Sequence, residues 1–187
     1  MNYLEKLTNT REKSRSMAAG ISSLILEIRK DSIKQSLRDL DNVEHRQEYV
    51  GTIDGVMYYD DSRAENVNAT WFTFENIVSP VVWIAGGDDR DCDFSELKPL
   101  VSKNVRALVC VGKNNKNLTD SFSGILTEIY HSASIEEAVK TASLVAKEDD
   151  LVLFSPACHS NRSKENFETR GNRFIASVKE LENEHHQ

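Results

Sequence analysis

Four short apolar runs constrain this chain more than any other feature: VVWIAG (81–86), ALVCVG (107–112), EIYHS (128–132) and LVLFSP (151–156). They recur roughly every 20–26 residues, with helix-patterned stretches between them. A parallel pair of strands needs a crossover of a dozen or more residues, and this spacing supplies it. Ahead of them, EYVGTI (48–53) and VMYYD (56–60) flank Asp54-Gly55, a two-residue signal for a tight antiparallel hairpin. The expected fold class is α/β: a Rossmann-like, mostly parallel sheet with a leading antiparallel hairpin and flanking helices.

Helix signals fill the gaps. Asp93 and Ser134 stand where helices should start, and Ser134 with Glu137 has capping-box spacing. In the last segment Phe167, Phe174, Ile175, Val178 and Leu181 fall on one helical face. Upstream of the hairpin the pattern differs. Met17, Ala18, Ile21, Leu24, Ile25 and Ile28 repeat with helical period, and Asp31 can cap a second helix that turns Ile33, Leu37 and Leu40 inward. A helical pair over residues 14–43 therefore precedes the sheet, and the boundary is expected near Asp41–His45. Residues 1–43 and 44–187 are the two expected units.

Charge and composition exclude several function classes. The formal charge is -7, with 39% hydrophobic residues. Phosphate backbones attract concentrated basic surfaces, so nucleic acid is not an expected partner. No apolar run approaches the length that a membrane helix needs, and the polar start MNYLEKLTNTREKSRS lacks a signal-peptide core. No membrane association and a cytoplasmic location are expected. Cys92, Cys110 and Cys158 show no metal-ligand spacing, so no metal is expected. Cys110, inside an apolar run, reads as a buried small hydrophobe. Cys158, at a strand end beside His159, is a conceivable thiol nucleophile without a clearly placed base.

In open α/β sheets ligands gather at the carboxyl ends of the strands. The loops after Tyr59, Ala85, Val111 and Phe154 are thus the candidates. In the first, Ser62 and Glu65 have capping-box spacing, with Asn66 and Asn68 as alternative caps. The second, Gly86-Gly87-Asp88-Asp89-Arg90, has neither GxGxxG nor GxxxxGK[ST]. The last, Ser155-Pro156-Ala157-Cys158-His159-Ser160, leaves one strand and approaches a helix.

These loops carry a resemblance. NVEHR (42–46) with DSRAEN (61–66) is similar to NVEHR…DSKATN of the Mur ligases. Gly86-Gly87-Asp88 through Asp93-Phe94-Ser95 is similar to their GGxxK…DFS loop. SPACHSNRSKENFETRGNRF (155–174) resembles SPACASxDxFKNFxxRGxxF without a change of length. The match runs from about Met17 to Leu181, because SMAAGI…LEIRKDSIKQSL resembles the end of the family's central domain. The chain is identified as a member of the Mur ligase family, and it resembles the family's D-glutamate-adding branch.

The resemblance implies a three-domain enzyme of peptidoglycan precursor synthesis. One domain holds the UDP-sugar peptide, one binds ATP and Mg²⁺, and the third, represented here, closes over both and receives D-glutamate. It places Arg63, Arg90, Ser160 and Phe167 at the amino-acid substrate, and Arg46 and Asp61 at the nucleotide. Arg63 and Arg90 stand where the family has Lys, which keeps the charge but changes geometry. Other positions depart further: Glu65 replaces Thr, Arg162 replaces Asp, Lys164 replaces Phe, and Glu12 falls at an adenine-contacting Asn. A negative Glu65 beside an anionic ligand is expected to repel it, unless Glu65 and Arg162 form a new pair. The chain has no phosphate loop, so no catalytic residue is assigned. ATP and Mg²⁺ are expected only if a partner supplies the ATP-binding domain. Two functions follow. One is a non-catalytic binding or regulatory module, holding an acidic small molecule or docking as a homodimer or on another protein. The other is the C-terminal half of a split or truncated ligase completed in trans.

Overall fold

The computed structural model describes residues 44–159 and 166–185, all within the compact unit Asn42–Gln187. The helical pair expected over 14–43 lies outside the described residues, as do Ser160, Arg162 and Lys164. Chain order is β1 (Glu48–Ile53), β2 (Val56–Asp60), α1 (Val67–Glu75), β3 (Val81–Ala85), a 3₁₀ turn (Ser95–Leu97) running into α2 (Lys98–Asn104), β4 (Val105–Val111), α3 (Lys116–Phe122), β5 (Glu128–Ser132), α4 (Ile135–Val145), β6 (Leu151–Phe154) and α5 (Phe167–His185). The α/β class read from the sequence is the one observed.

The strands form one sheet in the order β1-β2-β6-β3-β4-β5. Only the β1–β2 pair is antiparallel. Its turn has Asp54 at φ 49° and Gly55 at φ 77°, both in the left-handed region that the tightest hairpin loops require. The last strand, β6, inserts between β2 and β3, which brings the β2, β6 and β3 carboxyl ends side by side.

Alternation along the central strands divides the core. Val81, Trp83 and Ala85 of β3 join Phe74, Phe94, Leu108, Leu118 and Phe122 on one face. Val82 and Ile84 join Tyr58, Val109, Ile135, Val139, Phe154, Phe174 and Val178 on the other. The first core is ordered by edge-to-face rings: Phe74 to Trp83 at 5.2 Å and Trp83 to Phe122 at 5.6 Å between centroids. Such pairs add about 0.5–1.5 kcal/mol each beyond burial. No helix among the described residues is long and apolar enough to cross a membrane.

The caps settle two sequence ambiguities. Ser134 accepts the Glu137 amide at 3.3 Å, and Glu137 reaches back to the Ala133 amide at 2.6 Å, so the expected capping box forms one residue longer than the standard pattern. In the β2–α1 loop the cap is Asn66, in extended conformation, whose Oδ1 accepts the Ala69 amide at 2.9 Å. Ser62 and Glu65 do not cap: Ser62 is buried against Asp60, and Glu65 turns to Arg170. Asn66→Ala should therefore destabilise the fold by about 1 kcal/mol in urea unfolding, with Asn66→Ser close to native.

Candidate ligand crevice at the strand ends

Two adjacent carboxylates end β2, and both are buried. Asp60 accepts from His45 Nδ1 at 2.6 Å and from the Ser62 amide at 2.9 Å. Asp61 faces the opposite way. It accepts from the Thr73 hydroxyl at 2.7 Å, the Ser155 hydroxyl at 3.1 Å and the Gln47 amide at 3.3 Å. Thr73 belongs to α1 and Ser155 follows β6, so Asp61 ties three elements together. Ser155 also bonds Thr70 of α1, at 2.9 Å, and its carbonyl accepts the Trp83 indole N–H at 2.8 Å.

Helix α5 closes over the Asp60 side through Gly171. A Cβ there would overlap His45 Nδ1 and meet Asp60 Oδ2 and Ser62 Oγ at 2.5 Å. Only a glycine lets the helix lie this close to the buried polar cluster. His45, Glu48 and Asp60 have metal-ligand chemistry, and their donor atoms lie within 4.8 Å of one another. They do not fit an ion: the 2.6 Å His45–Asp60 separation is a hydrogen bond, and Glu48 accepts the His45 amide at 2.8 Å. Burial is the dominant influence on both aspartates, raising Asp60 above its ordinary value and pushing Asp61 up to about 7.

The residues singled out from the sequence occupy different loops. The Arg63 guanidinium lies 4.8 Å above the Phe167 ring, which also meets His45 edge-on at 6.3 Å. Arg63 and Phe167 are thus brought together at the surface end of the Asp60 cluster. Arg90 is in the loop after β3, exposed, and forks onto Asp88 with its Nε 2.5 Å from Asp88 Oδ1. Arg46 is half-buried in the segment leading to β1, while Asp61 is only 2% exposed. Glu65, expected to repel a ligand, instead accepts from the buried Arg170 at 2.7 Å. Cys158 is fully buried, its thiol pushed up first by burial, and exposed His159 faces Glu65 at 3.9 Å. Neither neighbour acts on the sulfur as a base.

Between these loops and α4 the strand ends enclose a cavity of about 260 Å³. Its floor is backbone: Gly86 and Gly87 after β3, Gly112 after β4, and Ala133–Ile135 at the start of α4. Gly86 and Gly112 have φ of 140° and 100°, which residues with a Cβ rarely adopt. A side chain on Gly86 would also strike the Val111 carbonyl. Lys113, Arg170 and Arg173 line the walls, with Asp88 opposite. Arg173 grips Glu136 by two bonds of 2.7 Å, and this pairing holds the Glu136 carboxyl at about 2. The sequence reading missed Lys113, Arg170 and Arg173 as wall residues, and Glu136 as the partner of Arg173. The only available signal was the RG-NR spacing in the last motif, which puts both arginines on one side of α5.

The buried Asp61 carries a pH dependence with a definite sign. Below pH 3.8 folded and unfolded chains both hold the proton, so its stabilisation is complete. Between 3.8 and about 7 the unfolded chain releases a proton that the folded protein retains. Stability is therefore lost as pH rises, by on the order of 4 kcal/mol from this group. Asp61→Asn mimics the protonated acid. Its unfolding free energy relative to native should rise between pH 4 and pH 8, as measured by urea denaturation at each pH.

The sequence matches the Mur ligase, glutamate ligase domain family over residues 45–158. It is 41% identical over 165 residues to the UDP-N-acetylmuramoylalanine--D-glutamate ligase of Christiangramia forsetii, covering 88% of this chain and 37% of the relative. The ligase of the same name from Salinibacter ruber is 40% identical over 166 residues, covering 89% and 36%. The chain thus spans little more than a third of the length of these relatives. Among solved structures, the MurC UDP-N-acetylmuramate-alanine ligase of Thermotoga maritima superposes with a TM-score of 0.51 at 13% identity, over 79% of this chain and 33% of that one. A bifunctional folylpolyglutamate synthase/dihydrofolate synthase of Yersinia pestis gives 0.52 at 17%, over 72% and 31%. These two likenesses establish the fold alone. With the family match running through the buried aspartates, the glycine-rich floor and the β6 end, the chain belongs to the Mur ligase family as its C-terminal, glutamate ligase domain.

Proposed function

We propose that this domain is a non-catalytic binding or regulatory module, derived from the D-glutamate-adding ligase of peptidoglycan precursor synthesis and acting in the cytosol. One observation carries the reading: three arginines around the crevice are each engaged by a carboxylate of the protein itself. Arg90 holds Asp88, Arg170 holds Glu65, and Arg173 holds Glu136. An incoming D-glutamate carboxylate gains little where it only exchanges for an internal one. Exchange at the partly buried Arg170–Glu65 pair would leave the Glu65 carboxylate without its counterion, whereas the exposed pairs contribute little. Among the described residues that line the crevice, an acidic ligand is left with Lys113 and the first amides of α4, a weak site compared with a set of open cations.

The ligase chemistry of the relatives needs ATP phosphates and Mg²⁺ held by a phosphate loop. No GxxxxGK[ST] occurs in these 187 residues. Asp61, the nucleotide position by resemblance, is buried with its oxygens engaged by Thr73, Ser155 and Gln47. With Asp61 occupied in this way, no catalytic step is assigned to the described residues. The module's partner in this reading is a second copy of the chain or a protein carrying the other ligase domains.

A second reading, completion of a ligase in trans, is favoured by the crevice itself, which remains open with its glycine floor intact. The two separate in one assay of D-glutamate-dependent phosphate release. The chain is incubated with ATP, Mg²⁺, UDP-N-acetylmuramoyl-L-alanine and D-glutamate, with and without the first two domains of the Christiangramia forsetii relative. The non-catalytic reading expects no release above background in either mixture. Turnover that appears only with the added domains would overturn it in favour of the second.

A further inference from the structure

Two of the three cysteines meet at the edge of the core, next to the Gly86–Asp88 loop that lines the crevice. Cys92 Sγ and Cys158 Sγ are 3.3 Å apart, and both are free thiols. They are separated by 66 residues, one in the loop after β3 and the other after β6. The backbones that carry them are already fastened together. The Gly86 amide donates to the Pro156 carbonyl at 3.1 Å, and the Asp88 amide to the His159 carbonyl at 3.0 Å. Gly87 lies so close that a Cβ there would meet Cys158 Cβ at 3.2 Å. Cys92 is further fixed by its amide, which donates to the Asp89 carbonyl at 3.1 Å. Cys158 is buried and Cys92 half-buried, so an oxidant reaches the pair from the Cys92 side.

We propose that Cys92 and Cys158 form a reversible disulfide under peroxide. The Cys92 thiolate attacks one peroxide oxygen; an S–O bond forms, the O–O bond breaks, and the departing hydroxide takes a proton to leave as water. Cys158 then gives up its proton, and its sulfur displaces the oxygen from Cys92 as a second water. Two thiols and one hydrogen peroxide become one disulfide and two waters, with two electrons passing from sulfur to oxygen. The sulfurs must close from 3.3 Å to about 2.05 Å, a movement within reach of side-chain rotation. Burial raises both thiols above their ordinary range, which keeps the thiolate fraction small and the pair reduced until oxidant persists. The bond would staple the glycine-rich loop, whose Gly86–Asp88 segment lines the crevice, to the β6 loop. A dithiol would reverse it.

The whole chain is treated with hydrogen peroxide, blocked with an alkylating agent and mapped by mass spectrometry without reduction. The expected product is one intramolecular Cys92–Cys158 peptide, with Cys110 still free for alkylation after unfolding. Dithiothreitol should restore both thiols. The oxidised protein should melt several degrees higher than the reduced protein, because a long loop is closed in the unfolded chain. Cys92→Ser, at the more exposed position, should abolish both the cross-link and the shift. Conversion of Cys92 to sulfinic or sulfonic acid without the cross-link would overturn the proposal, as would cross-linking that involves Cys110 or a second chain.

Discussion

The buried hydrogen bonds of Asp60 and Asp61 hold the strand-end loops in one arrangement. Asp60 points toward His45, Ser62 and the glycine of α5; Asp61 points toward α1 and the end of β6. A carboxylate out of water must find partners or keep its proton, and here both solutions operate. The segment before β1, the β2–α1 loop, the β6 end and α5 are consequently held against one another. Positive φ at His45 (66°) and Gln47 (46°) is the backbone cost of bringing that segment onto the aspartates.

The placement of the charges around the crevice follows from that arrangement. Helix α5 lies against Asp60 through Gly171, and Arg170 and Arg173 flank that contact. Arg170 therefore meets Glu65 of the β2–α1 loop, while Arg173 meets Glu136 at the start of α4. The same helix brings Phe167 under Arg63. Glu65 is thus part of the architecture that holds the wall residue Arg170. A floor of glycine backbone and a helix start remain suited to a small anion, while the walls have become largely self-neutral. That combination is what supports the proposed binding or regulatory role.

The sheet was legible because its signals are local: β-branched runs, a hairpin dipeptide with two left-handed residues, and a serine cap before α4. All four spaced runs are strands, and the Asp54-Gly55 turn falls where expected. The β2–α1 loop was harder. Ser62 and Glu65 have the spacing of a cap, but Ser62 is taken up by Asp60 two residues before it and Glu65 by the distant Arg170, and Asn66 takes over. The wall arginines were missed for the same reason. Their role depends on how α5 crosses the sheet, which is set by a close approach at Gly171 and not by any periodicity. The motif strings identified the family without showing that Arg90, Arg170 and Arg173 would be internally paired.

The self-neutral crevice is tested most directly by a solution NMR titration of the native protein with D-glutamate, following the amides of Gly87, Gly112, Ser134 and Glu136. Internal pairing predicts only small shifts, linear in ligand and unsaturated at millimolar concentration. Saturable shifts confined to those amides at submillimolar D-glutamate would show that the ligand displaces the internal carboxylates readily, and would contradict the account.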